Sequence, residues 1–216
     1  MNTAELELEQ VAAEMAIYSD LLVASGLLHL KGGNHSVRCG PRGDELIITR
    51  TGSFKRDLVP ERLIRASVHC DDPVENASSV LSMHRAIYRR TDARAVIHAH
   101  PYHPALLSFY VDQFTPVDEN GLIYLGPVIK VVAAREFMGW AAADAAMAEA
   151  LAECPAAILK WHGTFAIGDS LAQAFHNTQA VESAARFYLD TLRLRAALGM
   201  PEIAPYVADP PWMDTR

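Results

Sequence analysis

Apolar residues recur along the chain with two alternating spacings, which predicts helices that flank a set of short strands. Residues 3–28 carry apolar side chains three to five positions apart and acidic residues near the start, as an amphipathic helix ending near Gly26 does. Further helices are predicted over 80–90, 105–110, 135–153 and 170–198. Ser170 would cap the helix over 170–198, and Ser78 and Ser79 could simply cap the helix over 80–90.

Runs rich in β-branched or alternating apolar residues between the helices predict strands. These runs cover 34–38, 45–49, 64–70, 93–99, 128–132 and 157–160, and the last is expected to continue through 165–167. Gly40, Pro41 and Gly43 would form the turn of an early hairpin. Because a hairpin joins antiparallel neighbours, the order of elements predicts a mixed α/β fold whose sheet is largely antiparallel and flanked by helices.

Composition narrows the class of protein. The 216 residues suit one domain, and the balance of 50% hydrophobic and 21% charged residues is that of a globular chain. The net charge of −7 disfavours nucleic acid and anionic membranes as partners. Cys39, Cys70 and Cys154 match no zinc or redox motif and are expected to be reduced thiols. No signal segment or membrane span is apparent, so a cytoplasmic location is expected.

Three histidines at strand ends are the most informative residues. His98 and His100 are two apart, so their side chains share one face of a strand, and His162 ends another strand just before Gly163. Three imidazoles with an open fourth position suit zinc or a similar divalent ion, although a His-x-His pair alone is a weak signal. His103 could be a fourth ligand. His84 could hydrogen-bond to a metal ligand without contacting the metal, but a core histidine is the favoured interpretation.

Four sequence blocks resemble those of the class II aldolase/adducin family, which includes L-fuculose-phosphate aldolase and L-ribulose-5-phosphate 4-epimerase. In family order the blocks are LKGGNHSVR (30–38), ITRTGS (48–53), SSVLSMHRAIY (78–88) with AVIHAH (95–100), and ILKWHGTFAIG (158–168). The resemblance covers about residues 5–198. It implies one domain over 1–216, with a three-layer α/β fold, a central mainly antiparallel sheet and a C-terminal arm over 201–216.

The resemblance also implies an assembly and a ligand set. It implies a homotetramer with active sites at subunit borders, and a divalent metal on His98, His100 and His162. Zinc is the first choice, with manganese, cobalt or iron as alternatives. It places the substrate phosphate at Gly33, Asn34, Thr51, Gly52, Ser78 and Ser79. Amides and hydroxyls there could donate to a phosphate or equally to a carboxylate, or they could be turn and cap residues. Lys31, Arg50 and Lys55 lie beside them and could add charge, or could equally belong to the solvated surface.

Two positions depart from the family pattern. Family aldolases carry a glutamate after the serine pair, which ligates the metal and handles the proton at carbon, whereas this chain has Val80. Over 114–120, where the family has a catalytic tyrosine from a neighbouring subunit, this chain has Asp118 and Glu119, which are weak candidates for the missing acid/base group. Tyr206 in the C-terminal arm could match the other mobile tyrosine of the family.

Three functions compete on the sequence alone. An aldolase would cleave a small, phosphorylated hydroxy-ketone sugar through a metal-stabilised enediolate. A decarboxylase of a hydroxy-aryl or oxo acid would form a similar enolate without first removing a proton from carbon, so Val80 favours it. A dehydratase or epimerase is disfavoured because both need that proton transfer. A non-catalytic scaffold of the adducin kind is disfavoured because all three histidines are present.

Overall fold

A computed structural model describes residues 3–56, 58–134 and 139–200 of the protein. The helices of this part of the chain are Thr3–Ala24 (α1), Leu81–Arg90 (α2), Tyr102–Leu107 (α3), Glu119–Leu125 (α4), Asp144–Glu153 (α5) and Leu171–Leu198 (α6). Its strands are Asn34–Cys39 (β1), Glu45–Thr49 (β2), Leu63–Ser67 (β3), Ala95–Ala99 (β4), Gln113–Phe114 (β5), Ile129–Val132 (β6), Ala156–Leu159 (β7) and Gly163–Gly168 (β8). Short 3-10 turns occupy Pro60–Arg62 and Trp140–Ala143.

The strands form one sheet in the order β3-β2-β1-β4-β8-β7-β6-β5. Neighbouring strands run antiparallel except β6 and β7, which run parallel. The mixed α/β fold with a mainly antiparallel sheet that the sequence predicts is therefore confirmed. Strands β1, β4 and β8 lie side by side at its centre.

Helices cover both faces of the sheet, which gives three layers. Alternation along β2 shows how one strand serves both faces, because successive side chains point in opposite directions. Leu46 and Ile48 pack into the core formed with α2 and α5, whereas Ile47 packs into the core formed with α1 and α6. All three side chains are fully buried.

The elements with the strongest local sequence signals are present in the structure as predicted. Ser170 caps α6 as the sequence predicts, and its hydroxyl accepts from the amide of Gln173 at 3.2 Å. The helix ends at Gly199, whose φ of +62° is a left-handed conformation that glycine adopts without strain. The strand over 45–49 is present with the predicted bounds.

Other predictions were wrong in place or extent. The chain does not continue straight after β7 but reverses, so that Leu159 pairs with Gly163 and β8 runs back beside it. The helix predicted over 135–153 begins later, with a 3-10 turn at Trp140, and residues 135–138 lie outside the described part. The serine pair does not cap α2, since Val80 holds the cap position without a side-chain hydrogen bond. The sequence pattern does not predict helix α4.

No described helix is both long and apolar enough to span a membrane. The assignment of residues 1–216 to one domain stays a prediction. The C-terminal arm, which includes Tyr206, lies outside the described residues.

Candidate metal centre and anion site

The three strand-end histidines meet at one point. Nε2 of His98 lies 3.2 Å from Nε2 of His100 and 3.0 Å from Nε2 of His162. One nitrogen from each ring lies within 4.8 Å of the others, and no other described group of histidine, cysteine, aspartate or glutamate side chains clusters in this way. Ligands about 2.1 Å from a tetrahedral ion are about 3.4 Å apart, so this donor set fits a zinc-like ion.

Strand pairing brings these histidines together. In β4, His98 stands opposite Asn34 of β1 on one side and Phe165 of β8 on the other, and His100 follows at the strand end. His162 lies in the tight turn between β7 and β8, where its amide donates to the carbonyl of Leu159 at 3.1 Å. The centre therefore depends on the end of β4 lying beside the turn between β7 and β8.

Glycines on both sides of β4 make this convergence possible. A Cβ atom at Gly33, whose φ is +61°, would lie 2.3 Å from the carbonyl oxygen of His98. A Cβ atom at Gly163 would lie 2.2 Å from the carbonyl oxygen of Ala99. Real Cβ atoms do not approach backbone oxygen so closely, so a side chain at either position would push a neighbouring strand away from β4.

The surroundings keep the histidines neutral, which leaves lone pairs free for a metal. Burial lowers the pKa of His98 well below its usual value, and burial lowers the pKa of His100 to about 4. Burial also lowers the pKa of His162. Nδ1–H of His98 donates to the carbonyl of Thr164 at 2.9 Å, which leaves Nε2 as the free donor atom toward the cluster.

Two further histidines have other tasks. His103 does not join the cluster, because its Nδ1 is bound to Oε1 of Glu182 and its amide donates to Oε2 of the same residue at 3.0 Å. His84 is fully buried between Ser36 and Asn34, and its ring edge faces Phe165. The interpretation of His84 as a core histidine fits its burial, and its contact with Asn34 ties it to the anion site.

The candidate anion residues gather beside the histidines. Thr51 donates its amide to the carbonyl of Asn76 at 3.0 Å, and a bridge between Arg50 and Ala77 holds the two loops side by side. The loop of Ser78 and Ser79 leads into α2, so the positive end of this helix points toward the same space. The structure brings together all six residues that the resemblance assigns to the phosphate; their role stays a prediction.

These residues and the histidines line a single cavity of about 190 Å³. The lining comprises Lys31, Gly32, Gly33, Asn34, Arg50, Thr51, Gly52, Lys55, Ser78, Ser79, Val80, His98, His100, Trp140 and His162. A larger cleft of about 410 Å³, near Arg90 and Asn177, includes no histidine in its described lining. The smaller cavity is the candidate site because it holds the histidine cluster.

No aspartate or glutamate is among the described residues that line this cavity. Val80, at the position of the family glutamate, is 3% exposed and packs with the α2 and α5 core while it also borders the cavity. Trp140 lines the same cavity, with its ring 5.0 Å from that of His162. Neither Val80 nor Trp140 can ligate a metal or act as a general acid or base.

Lys55 is the residue whose burial the sequence did not reveal. It is 1% exposed, its ammonium donates to the carbonyl of Ser53 at 3.1 Å, and no described carboxylate pairs with it. Burial lowers its pKa to about 8. An unpaired buried cation in a cavity wall is costly unless a ligand supplies the opposite charge. In the sequence, the only indication that Lys55 belongs to the cavity was its position three residues after Gly52.

The predicted acid/base residues lie elsewhere. Asp118 caps α4, with its carboxylate accepting from the amide of Gly121 at 2.9 Å, and Glu119 is exposed in the first turn. Neither lines the cavity of its own subunit. Tyr206 is outside the described residues. The catalytic role of all three stays a prediction that depends on a neighbouring subunit.

Comparison with known proteins places these features in context. The family described as Class II Aldolase and Adducin N-terminal domain matches residues 13–189. A 5-deoxy-D-ribulose 1-phosphate aldolase of Bacillus thuringiensis serovar kurstaki is 26% identical over 202 residues, which are 92% of this chain and 91% of the relative. A methylthioribulose-1-phosphate dehydratase of Schizosaccharomyces japonicus is 26% identical over 198 residues, covering 81% of this chain and 84% of the relative.

A solved structure has the same architecture. The crystal structure of L-fuculose-1-phosphate aldolase from Thermus thermophilus superposes with a TM-score of 0.79 at 33% identity. The match covers 89% of this chain and 98% of that one. The likeness therefore extends over most of the fold.

Proposed function

Since the chain belongs to the class II aldolase and adducin family, we propose that it is a metal-dependent carbon–carbon lyase for a small phosphorylated hydroxy-ketone sugar. Its relatives are named as aldolases and a dehydratase, which supports an enzyme. The observation that carries the proposal is the cluster of three neutral imidazoles at a cavity wall. His98, His100 and His162 would hold the ion, with zinc as first choice and manganese, cobalt or iron as alternatives.

A bound divalent ion would polarise the substrate oxygens and stabilise negative charge as the carbon–carbon bond breaks. The protein's own part is to bind and orient. Gly33, Asn34, Thr51, Gly52, Ser78 and Ser79 would donate to the phosphate, and Lys55 would offset its charge. The sugar phosphates in the names of the relatives support phosphate over a carboxylate at this end.

The proton transfers need a group that Val80 does not supply. We propose that Glu119, Asp118 or Tyr206 reaches the cavity from a neighbouring subunit of a homotetramer. Glu119 is free to do so because it is exposed, whereas Asp118 would have to give up its cap on α4. Exposed aromatic side chains on the segments beside His100 and His162, namely Tyr102, Phe109, Tyr110 and Trp161, support an interface at this edge.

Decarboxylation is a second candidate, and the cavity wall favours it. Loss of carbon dioxide leaves an enolate without prior removal of a proton from carbon, so a wall without a carboxylate is compatible with it. The substrate would be an oxo acid or a hydroxy-aryl acid. The neighbouring subunit would then matter only for the reprotonation of carbon.

We also propose a cytoplasmic location for the protein. The three free thiols support this proposal, because disulfides are rare in the reducing cytoplasm.

The first measurement is the metal content of protein purified without chelator, beside the His98→Ala variant. About one tightly bound ion per subunit, lost in the variant, supports the centre. Failure to bind any ion after zinc or manganese is added contradicts both enzyme functions. His103→Ala is a matched control, because His103 lies outside the cluster and its variant should keep its metal.

The metal-loaded protein then separates the two reactions. Aldehyde release from ketose 1-phosphates supports the aldolase, and carbon dioxide release from oxo and hydroxy-aryl acids supports the decarboxylase. Each activity must disappear with His98→Ala, since contaminating enzymes would not respond to that change.

A further inference from the structure

A chain of four polar side chains leads from α2 to the anion end of the cavity. The hydroxyl of Tyr88 lies 2.8 Å from Oγ of Ser36, which lies 2.6 Å from Nδ1 of His84. Nε2 of His84 contacts Oδ1 of Asn34, and Asn34 borders the cavity. Tyr88, Ser36 and His84 are at most 2% exposed. The direction in which protons are donated along this chain decides whether Asn34 presents its side-chain NH2 group or its carbonyl oxygen to a ligand.

Two proton orders are possible, because burial lowers the pKa of His84 to about 3 and leaves one ring nitrogen protonated. In the first order Tyr88 donates to Ser36, Ser36 to Nδ1, and Nε2–H to Oδ1 of Asn34. The side-chain NH2 group of Asn34 then faces the cavity. In the second order every bond is reversed, and the carbonyl oxygen of Asn34 faces the cavity.

The surroundings select the first order. Among the described residues, Tyr88 has Oγ of Ser36 as its acceptor, and Ser36 in turn has Nδ1 of His84 as the acceptor for its own proton. The first order is therefore the one that gives both buried hydroxyl protons a partner. At the other end, Lys31, Arg50, Lys55 and the backbone amides make the cavity a donor environment. An NH2 group extends that donor set, whereas a carbonyl oxygen would compete with an anion for it.

We propose that His84 is a positioning residue, which fixes the Asn34 amide with its NH2 group toward the cavity, where it donates to the anionic end of the substrate. The inference rests on the proposed function, because it assigns a task at the anion end. His84 would act without touching either the substrate or the metal. The family resemblance pointed to neither Ser36 nor Tyr88 as part of the site.

The proton order can be read directly. In the metal-loaded protein, nitrogen NMR of the imidazoles is expected to show His84 protonated at Nε2 and unprotonated at Nδ1. Protonation at Nδ1 would overturn the proposal, because the Asn34 amide would then be turned around. This readout does not depend on any activity of the enzyme.

A matched pair of variants tests the consequence. In His84→Gln the side-chain amide can reach the position of Nε2 and still donate to Asn34, whereas His84→Asn can reach only the position of Nδ1, beside Ser36. With inorganic phosphate as the probe, His84→Asn is expected to weaken binding about tenfold and His84→Gln less than about threefold. Both variants should keep one metal ion per subunit, and Asn34→Ala should weaken phosphate binding at least as much as His84→Asn.

The outcomes separate this inference from the function on which it rests. Equal losses in the two His84 variants, or no loss in either, would overturn the positioning role. If wild-type protein holds its metal and protonates Nε2 but binds no phosphate, the anion end of the proposed function fails, while the proton order of the buried chain stands.

Discussion

At the scale of single residues, Val80 is the departure from the family pattern that bears most on the proposed reaction. The family resemblance implies a glutamate at this position, which would ligate the metal and move protons, whereas the chain has an aliphatic side chain there. Because the rest of the cavity keeps the residues expected for metal and anion binding, we expect this departure to affect the chemical step more than binding. Restoring a carboxylate at this position is therefore an informative change.

If no other residue replaces the missing glutamate, we expect Val80→Glu to create or raise aldol cleavage of ketose 1-phosphates by about 100-fold or more, which would favour a different native reaction. Val80→Gln is the matched control, since it has the same size without the carboxylate and reports the cost of changing a buried valine. The measurement is aldehyde release by metal-loaded protein. An existing aldolase activity that Val80→Glu leaves unchanged would place the base elsewhere.

Lys55 is expected to lower the stability of the folded protein and to strengthen anion binding. Lys55→Met should raise the free energy of unfolding by on the order of 1–3 kcal/mol, because it removes a buried charge without a carboxylate partner. It should also weaken phosphate binding about tenfold. Urea unfolding and phosphate titration measure the two effects. Lys31→Met, at an exposed position of the same cavity, should change stability little.

The sign of the pH effect of Lys55 follows from its lowered pKa. Between about pH 8 and pH 10.5 the unfolded lysine keeps a proton that the folded one releases. The unfolded state therefore binds more protons, so stability rises with pH in this window. Lys55→Met should remove that rise, and a rise of equal slope in the variant would contradict the assignment.

At the scale of elements, the candidate metal centre depends on how closely β4 and β8 can approach. Gly163 permits this approach, because any side chain there would meet the backbone of Ala99. The turn before it carries His162, so a shift of β8 would also move that ligand. Packing between two strands thus controls a chemical site that lies at their ends.

Gly163→Ala is expected to lower metal affinity at least about tenfold and to destabilise the fold by about 1–3 kcal/mol through overpacking. Gly26→Ala is the control. Its φ is +71° but no atom lies within 4 Å of the added Cβ, so it should cost about 1 kcal/mol without affecting the metal. Titration with zinc and urea unfolding measure both quantities. Unchanged zinc affinity in Gly163→Ala would contradict the strand-approach argument.

At the scale of the whole molecule, buried neutral histidines make stability sensitive to acid. Burial lowers the pKa of His35 and of His84 to about 3. In the unfolded chain a histidine binds its proton near about pH 6.5. As pH falls from about 6.5 toward 3, the unfolded state therefore holds more protons, and the folded state loses stability.

Each of these two histidines should contribute a slope of about 1.4 kcal/mol per pH unit in that window. Comparing metal-free wild type with His84→Gln by urea unfolding at about pH 7, 6 and 5 isolates one contribution, and the variant should show the shallower slope. The same substitution at the exposed His69 is the control. Equal slopes in wild type and His84→Gln would contradict a neutral, buried His84.

The sequence by itself determined the elements with strong local signals. Period and caps predicted α6, the alternation of 45–49 predicted β2, and the spacing of His98 and His100 placed two candidate ligands on one face. The family blocks added the glycine and hydroxyl residues of the candidate anion site and pointed to His162 as the third candidate ligand. These features depend on neighbouring residues in the chain or on motifs, so no tertiary information was needed.

Only the tertiary structure decided the rest. The return of the chain after β7, the burial of Lys55 and the link from Tyr88 to Asn34 depend on contacts between residues far apart in sequence. Whether a lysine is buried or a serine pair caps a helix depends on what packs against it, which a local pattern does not contain. The histidines could be named from the sequence, but their separation of about 3 Å follows from strand register and from the space left by two glycines.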